Sequence, residues 1–185
     1  MSERNIISGS TEDEVWQQIK AQMNSDEDLL YYDAVVMQGN RKIEINVDID
    51  LGGGFESGYE TTTITAPLQT VPAFKFAIHE EHLTDEIGKF FGLQDVVIGY
   101  EEFDKKFVIK TNNVDKVKEL FSDPELRLTL ESYSDFSLGI AHDKSEDKDE
   151  TYSLEFMTEE GITDPDELRI IYSAFYTILN KIDPL

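Results

Sequence analysis

The stretch "LLYYDAVVMQGNRKIEINVDIDL", Leu29 to Leu51, decides the fold. Ile43, Ile45, Val47, Ile49 and Leu51 fall on one side of an extended chain, and Lys42, Glu44, Asn46, Asp48 and Asp50 on the other. A period of two belongs to a strand with one face on a core and one toward water. Just upstream, "QGNR" reads as a tight hairpin turn, because Gly39 and Asn40 tolerate the positive φ such a turn requires. Leu29–Met37 then becomes the antiparallel partner.

Working outward, "YETTTITAPL" is a Thr-rich strand that Pro67 ends, and "FKFAIHE" a further strand with Phe74, Phe76 and Ile78 on one face. With the hairpin, these read as a four-stranded N-terminal meander. Residues 1–9 are polar and read as a flexible N-terminus. "TEDEVWQQIKAQMN" has a capping pair in Ser10 and Asp13, or Thr11 and Glu14, and an apolar stripe of Trp16, Ile19 and Met23.

Past the meander, "LTDEIGKFFGL" reads as a short helix, "QDVVIG" as a short strand, and "EFDKKFVIK" as a strand on which Phe103, Phe107 and Ile109 share a parity. Two helices follow, one capped by Asn112 or Asn113 and one by Ser122 or Asp123 ahead of Pro124. "DFSLGIAH" and "TYSLEFM" form a later strand pair. The last segment, "TDPDELRIIYSAFYTILNKI", combines Asp164 as cap, Pro165 at the first position and Glu167 at the third with a wide apolar stripe, so it is a helix. The expected architecture is α+β: a largely antiparallel sheet of about seven or eight strands with helices packed on it, forming one domain over residues 10–185.

Composition bounds the function. The chain carries 39 Asp and Glu against 16 Lys and Arg, a net charge of −23. That field repels phosphate backbones and anionic lipid, so neither nucleic acid nor a membrane surface is an expected partner. It favours basic or amphipathic proteins. Having no cysteine, the chain has no disulfide, thiol nucleophile or thiolate metal site. No secretory signal and no membrane-length apolar run is present, so a cytoplasmic protein is expected.

The block "IGKFFGLQDVVIGYEEFDKKFVIKTNNVDKVKELF", Ile87 to Phe121, resembles a family of bacterial and archaeal proteins with no established function. The shared features are "GLQD" at Gly92–Asp95, "EFD" at Glu102–Asp104, the basic step Lys105–Lys106, "FVIK" at Phe107–Lys110 and the helix opening Asp115–Leu120. "YETTTIT", Tyr59 to Thr65, is similar to the strand that precedes this block. The resemblance supports the fold reading and implies no activity, cofactor or catalytic residue.

Four short stretches invite chemistry. "HEEH" places His79 and His82 three apart with carboxylates between, a candidate metal pair, though zinc-protease helices space their histidines by four. "DKSEDKDETYSL" offers Asp143, Asp147 and Asp149 but has Lys148 where a calcium loop turns on Gly and Leu154 where it ends on Glu. "LGGGFESG" sits between strands and lacks the following Lys and Ser/Thr of a phosphate cradle. No serine stands in a nucleophile-elbow motif. Expected function is therefore a non-enzymatic binding or adaptor module with no cofactor and no catalytic residue, whose sheet face or edge meets a basic or amphipathic protein. Small acidic secretion chaperones have a similar order of elements. The alternative is a hydrolase or metal-dependent enzyme built on His79, His82 and nearby carboxylates.

Overall fold

The computed structural model describes residues 4–25, 29–53, 57–81, 92–143 and 151–184. Along the chain run β1 (Asn5–Gly9), α1 (Glu12–Met23), β2 (Tyr31–Gln38), β3 (Arg41–Asp50), β4 (Tyr59–Pro67), β5 (Phe76–His79) and β6 (Gln94–Val96). Then come α2 (Glu101–Lys106), β7 (Val108–Thr111), α3 (Val114–Leu120), α4 (Pro124–Glu131), β8 (Phe136–Asp143), β9 (Thr151–Thr158) and α5 (Pro165–Ile182). The described strands form one nine-stranded sheet in the order β1-β2-β3-β4-β9-β8-β5-β7-β6. Every pairing is antiparallel except β1 with β2. The α+β architecture expected from the sequence is the one observed.

The deciding hairpin closes on the positive φ of Gly39 alone; Asn40 does not take one. Gln38 pairs with Arg41 across a turn whose Gly39 has φ +57°. That register turns Ile43, Ile45 and Val47 inward, all fully buried, beside Ala34, Val36 and Ile64. The same parity runs across the sheet through Phe156, Leu138 and Ile78 to Ile109. On this core face lie α1, through Val15, Trp16 and Ile19, and α5, through Leu168, Ile171, Tyr172 and Phe175. Trp16 and Tyr172 meet ring to ring at 5.2 Å. Their polar tips are satisfied: Trp16 Nε1 donates to Pro165 O (2.9 Å) and Tyr172 OH to Gln38 Oε1 (2.7 Å). Phe103, Phe107, Phe136 and Phe156 carry the core onward as successive ring contacts of 4.9, 5.1 and 5.4 Å.

Four helices start on side-chain caps. Thr11, Asn113, Asp123 and Asp164 accept from the first-turn N–H groups of α1, α3, α4 and α5. In α1, Glu14 also reaches back to accept from Ser10 N (2.7 Å). Past the end of α5, Asp183 is buried with Arg41, Nη1 to Oδ2 2.8 Å. Arg41 Nη2 donates to the Asp183 carbonyl, and Gln69 N donates to its carboxylate (3.1 Å). The chain's end is thus tied to the start of β3 and to the turn after β4.

Three expectations are corrected. Residues 5–9, expected within a flexible N-terminus, form β1. Ile7 is fully buried beside Val36, Gly39 N donates to Gly9 O (2.9 Å), and Gln18 of α1 donates to the carbonyl of Ser8 (2.8 Å). Second, the meander has three strands, β2-β3-β4; β5 leaves it to pair with β7 and β8, and β9 takes the place beside β4. Third, Glu101–Lys106 is a helical turn and not part of a strand. Asp104 drives that turn, accepting from Ile98 N (2.9 Å) and Gly99 N (2.8 Å) while its own N–H bonds Tyr100 O (2.8 Å). Phe103 and Phe107, four apart, meet the core on either period. The helix expected near Leu83–Gly92 lies almost wholly outside the described residues.

Candidate functional site

Of the candidate metal pair, His79 is described and His82 is not. His79 is no solvated strand end. It lies in β5 between Val108 and Ser137, 2% exposed, with Nδ1 2.8 Å from Glu80 O. His142 sits five positions beyond Ser137 on β8, roughly 16 Å along a strand, and its parity turns it to the opposite face. There it stacks on Tyr152 at 4.4 Å. The two imidazoles therefore do not converge. Among the described residues no three His, Asp or Glu gather in a metal-binding group. Asp147, Asp149, the Asp143 side chain and residues 54–56 of the Gly-rich loop lie outside what is described. The end of that loop has a clear constraint: a Cβ on Gly58 would stand 2.2 Å from Asp50 O, so only glycine fits where the chain re-enters β4.

The face of the sheet turned away from α1 and α5 is polar across β2, β3, β4 and β9. Asp33, Glu44, Asn46, Asp48, Thr61, Thr63 and Thr65 stand on it, all half-buried. Arg4 bridges Asp33 and Glu44, and Lys42 reaches Glu44 at 2.6 Å. Hydrogen bonds from Lys42 and Arg4 hold the Glu44 carboxyl below the usual carboxylate range, against the opposing effect of burial. The carboxylates of Asp33 and Glu44 on this face are thus paired.

A concave surface appears where β2 begins, β3 ends and β4 begins. Leu51 continues the inward parity of Ile43–Ile49, but the last pair of the ladder is Asp50 with Tyr59, so Leu51 runs past the sheet and is 73% exposed. Leu30 (41%) and Tyr59 (51%) stand at the same end. Met23 from α1, Leu29 and Leu30 before β2, Ile49 of β3 and Leu51 just past it line a groove of about 1110 Å³. Its rim is acidic: Glu60, Asp164 and Asp166. The cation there, Lys20, lies 2.7 Å from both carboxylate oxygens of Asp166, so its charge is already matched. Beyond Leu51 and Glu60, on the opposite face of the sheet, lies a separate depression of about 660 Å³ lined by Asp50, Tyr59, Thr61, Met157 and Glu159. Tyr59 OH donates to Asp48 (3.0 Å), and that bond, with the carboxylate charge, raises the phenol's pKa.

The loop that forms one wall is held by Thr62. Its hydroxyl donates to Glu160 O (2.7 Å) and accepts from Ile162 N (2.9 Å), while Glu60 accepts from Gly161 N (3.2 Å). Sequence reading missed this groove, since its apolar residues come from three separate segments and no motif unites them. The one local signal was Leu51, the inward residue that outlasts its strand.

Among the described residues no helix is long and apolar enough to cross a membrane. No protein-family model, curated protein or solved structure matches the chain.

Proposed function

We propose that the protein is a binding module for a basic, amphipathic segment of a partner protein, and that the segment docks at the end of the sheet. The observation that carries this reading is the groove's chemistry: exposed Leu30 and Leu51 share one concavity with Met23 and Ile49, and carboxylates stand at its rim. Exposed apolar surface of this kind, rimmed by polar groups, is what an interface offers before its partner arrives. Charge complementarity selects the partner. A net charge of −23 steers cations in and turns acidic proteins, nucleic acids and anionic lipid away.

Binding of a synthetic Leu/Lys amphipathic peptide, followed by fluorescence anisotropy, tests the reading. Affinity is expected to fall at least tenfold as salt rises from about 50 to about 300 mM. Glu60→Gln with Asp164→Asn, which keeps the acceptor oxygens for Gly161 N and the α5 cap and removes two rim charges, is expected to weaken binding by roughly threefold to tenfold, about 1 kcal/mol. No binding, or binding indifferent to both salt and the double variant, overturns it.

A further inference from the structure

We infer that the occupant of this groove binds as an α-helix, with an apolar stripe laid on Leu30, Ile49 and Leu51 and lysines or arginines on its flanks. This rests on the reading of the groove as a docking site and adds the partner's conformation. The argument is about backbone hydrogen bonds. An extended segment buried on an apolar floor must find partners for its main-chain N–H and C=O groups, or bear the cost of leaving them unmet. Strand addition supplies them only at a free sheet edge. Near the groove β3 is paired with both β2 and β4, and β4 with β3 and β9. Among the described residues β2 is open on its outer side only over Tyr31–Asp33, three residues whose last carbonyl already accepts from Asn5, too short an edge to hold an extended segment. The sheet presents strand ends there. A helix needs nothing from the groove, since its backbone bonds are internal, and its residues at i, i+3, i+4 and i+7 make an apolar stripe. Basic residues beside that stripe meet Glu60 and Asp164 on the rim, Asp166 being held by Lys20.

Two peptides of about 18 residues, long enough to support a helix, test this. In the first, leucines recur at helical spacing with lysines on both flanks and alanines behind. In the second, two alanines are replaced by proline, so leucine and lysine content is unchanged and the helix is lost. Each is titrated by anisotropy into the whole protein and into Leu51→Asp, whose site is 73% exposed and whose folding is checked by its melting curve. The expected result is that the first peptide binds and gains helical circular dichroism, the proline peptide binds at least tenfold more weakly, and Leu51→Asp weakens the first peptide by a similar factor. Equal binding of both peptides, each weakened by Leu51→Asp, overturns the helical conformation and leaves the groove standing. Failure of the first peptide to bind, or binding untouched by Leu51→Asp, removes the groove and the inference together.

Discussion

Arg41 and Asp183 are 2% and 8% exposed in their side chains, and each is the other's charge partner. Taking two ions out of water costs several kcal/mol apiece, and here two hydrogen bonds from one guanidinium and one from Gln69 offset that cost. Removing one partner strands the other. Arg41→Met is expected to destabilise the fold by about 3–5 kcal/mol, read as a lower urea midpoint, and Arg41→Met with Asp183→Leu by less than Arg41→Met alone. A double variant at least as damaging as the single one would show that the pair holds the chain by shape and not by charge. Nothing in the local sequence pointed to this pair. Arg41 entered only as the last residue of the turn "QGNR", and only the fold brings it to Asp183 over 142 positions.

At the scale of the element, what was legible is what local chemistry fixes. Asp164, Pro165 and Glu167 announce α5, and Asp164 does accept from the N–H groups of Asp166 (2.8 Å) and Glu167 (3.5 Å). Asp164→Ala is accordingly expected to cost about 1 kcal/mol in urea unfolding; a loss below about 0.3 kcal/mol would mean packing alone sets that end. The alternation of β3 fixed its inward face in the same way. Elements defined by distant partners were not legible. β1 is five residues with one buried side chain, recognisable only once β2 is beside it. β5 joins β7 and β8, both far along the chain, so its place in the meander was an assumption of nearest-neighbour pairing. In "EFDKKF" the spacing of the two phenylalanines suits helix and strand alike, and the deciding residue was Asp104, which gathers the turn before it.

For the molecule as a whole, pH acts through groups whose ionisation differs between folded and unfolded chains. Burial raises the phenols of Tyr32 and Tyr172, and burial with the charges of Glu167 and Glu160 pushes Tyr133 up to about 12. Unfolded tyrosines ionise near 10.0, so above that pH the unfolded chain releases protons that the folded one keeps. Stability should therefore decline as pH rises from 10 toward 12, and Tyr133→Phe should flatten that decline in urea titrations at stepped pH. Glu44 has the reverse sign. Its depressed carboxyl stabilises the fold above the ordinary carboxylate range, and that contribution disappears as pH falls through its lowered value. A stability profile level from neutral to strongly alkaline pH would contradict the burial of these phenols.

Gln18, a helix side chain resting on the carbonyl of Ser8, bears on how this molecule keeps company. An open sheet invites a neighbour to zip onto its margin. Here one margin is a five-residue strand already touched by that amide, and the other, among the described residues, is only Gln94–Val96. Neither gives a stranger a long ribbon of idle peptide groups to copy. Visitors are left the broad sides and the tips.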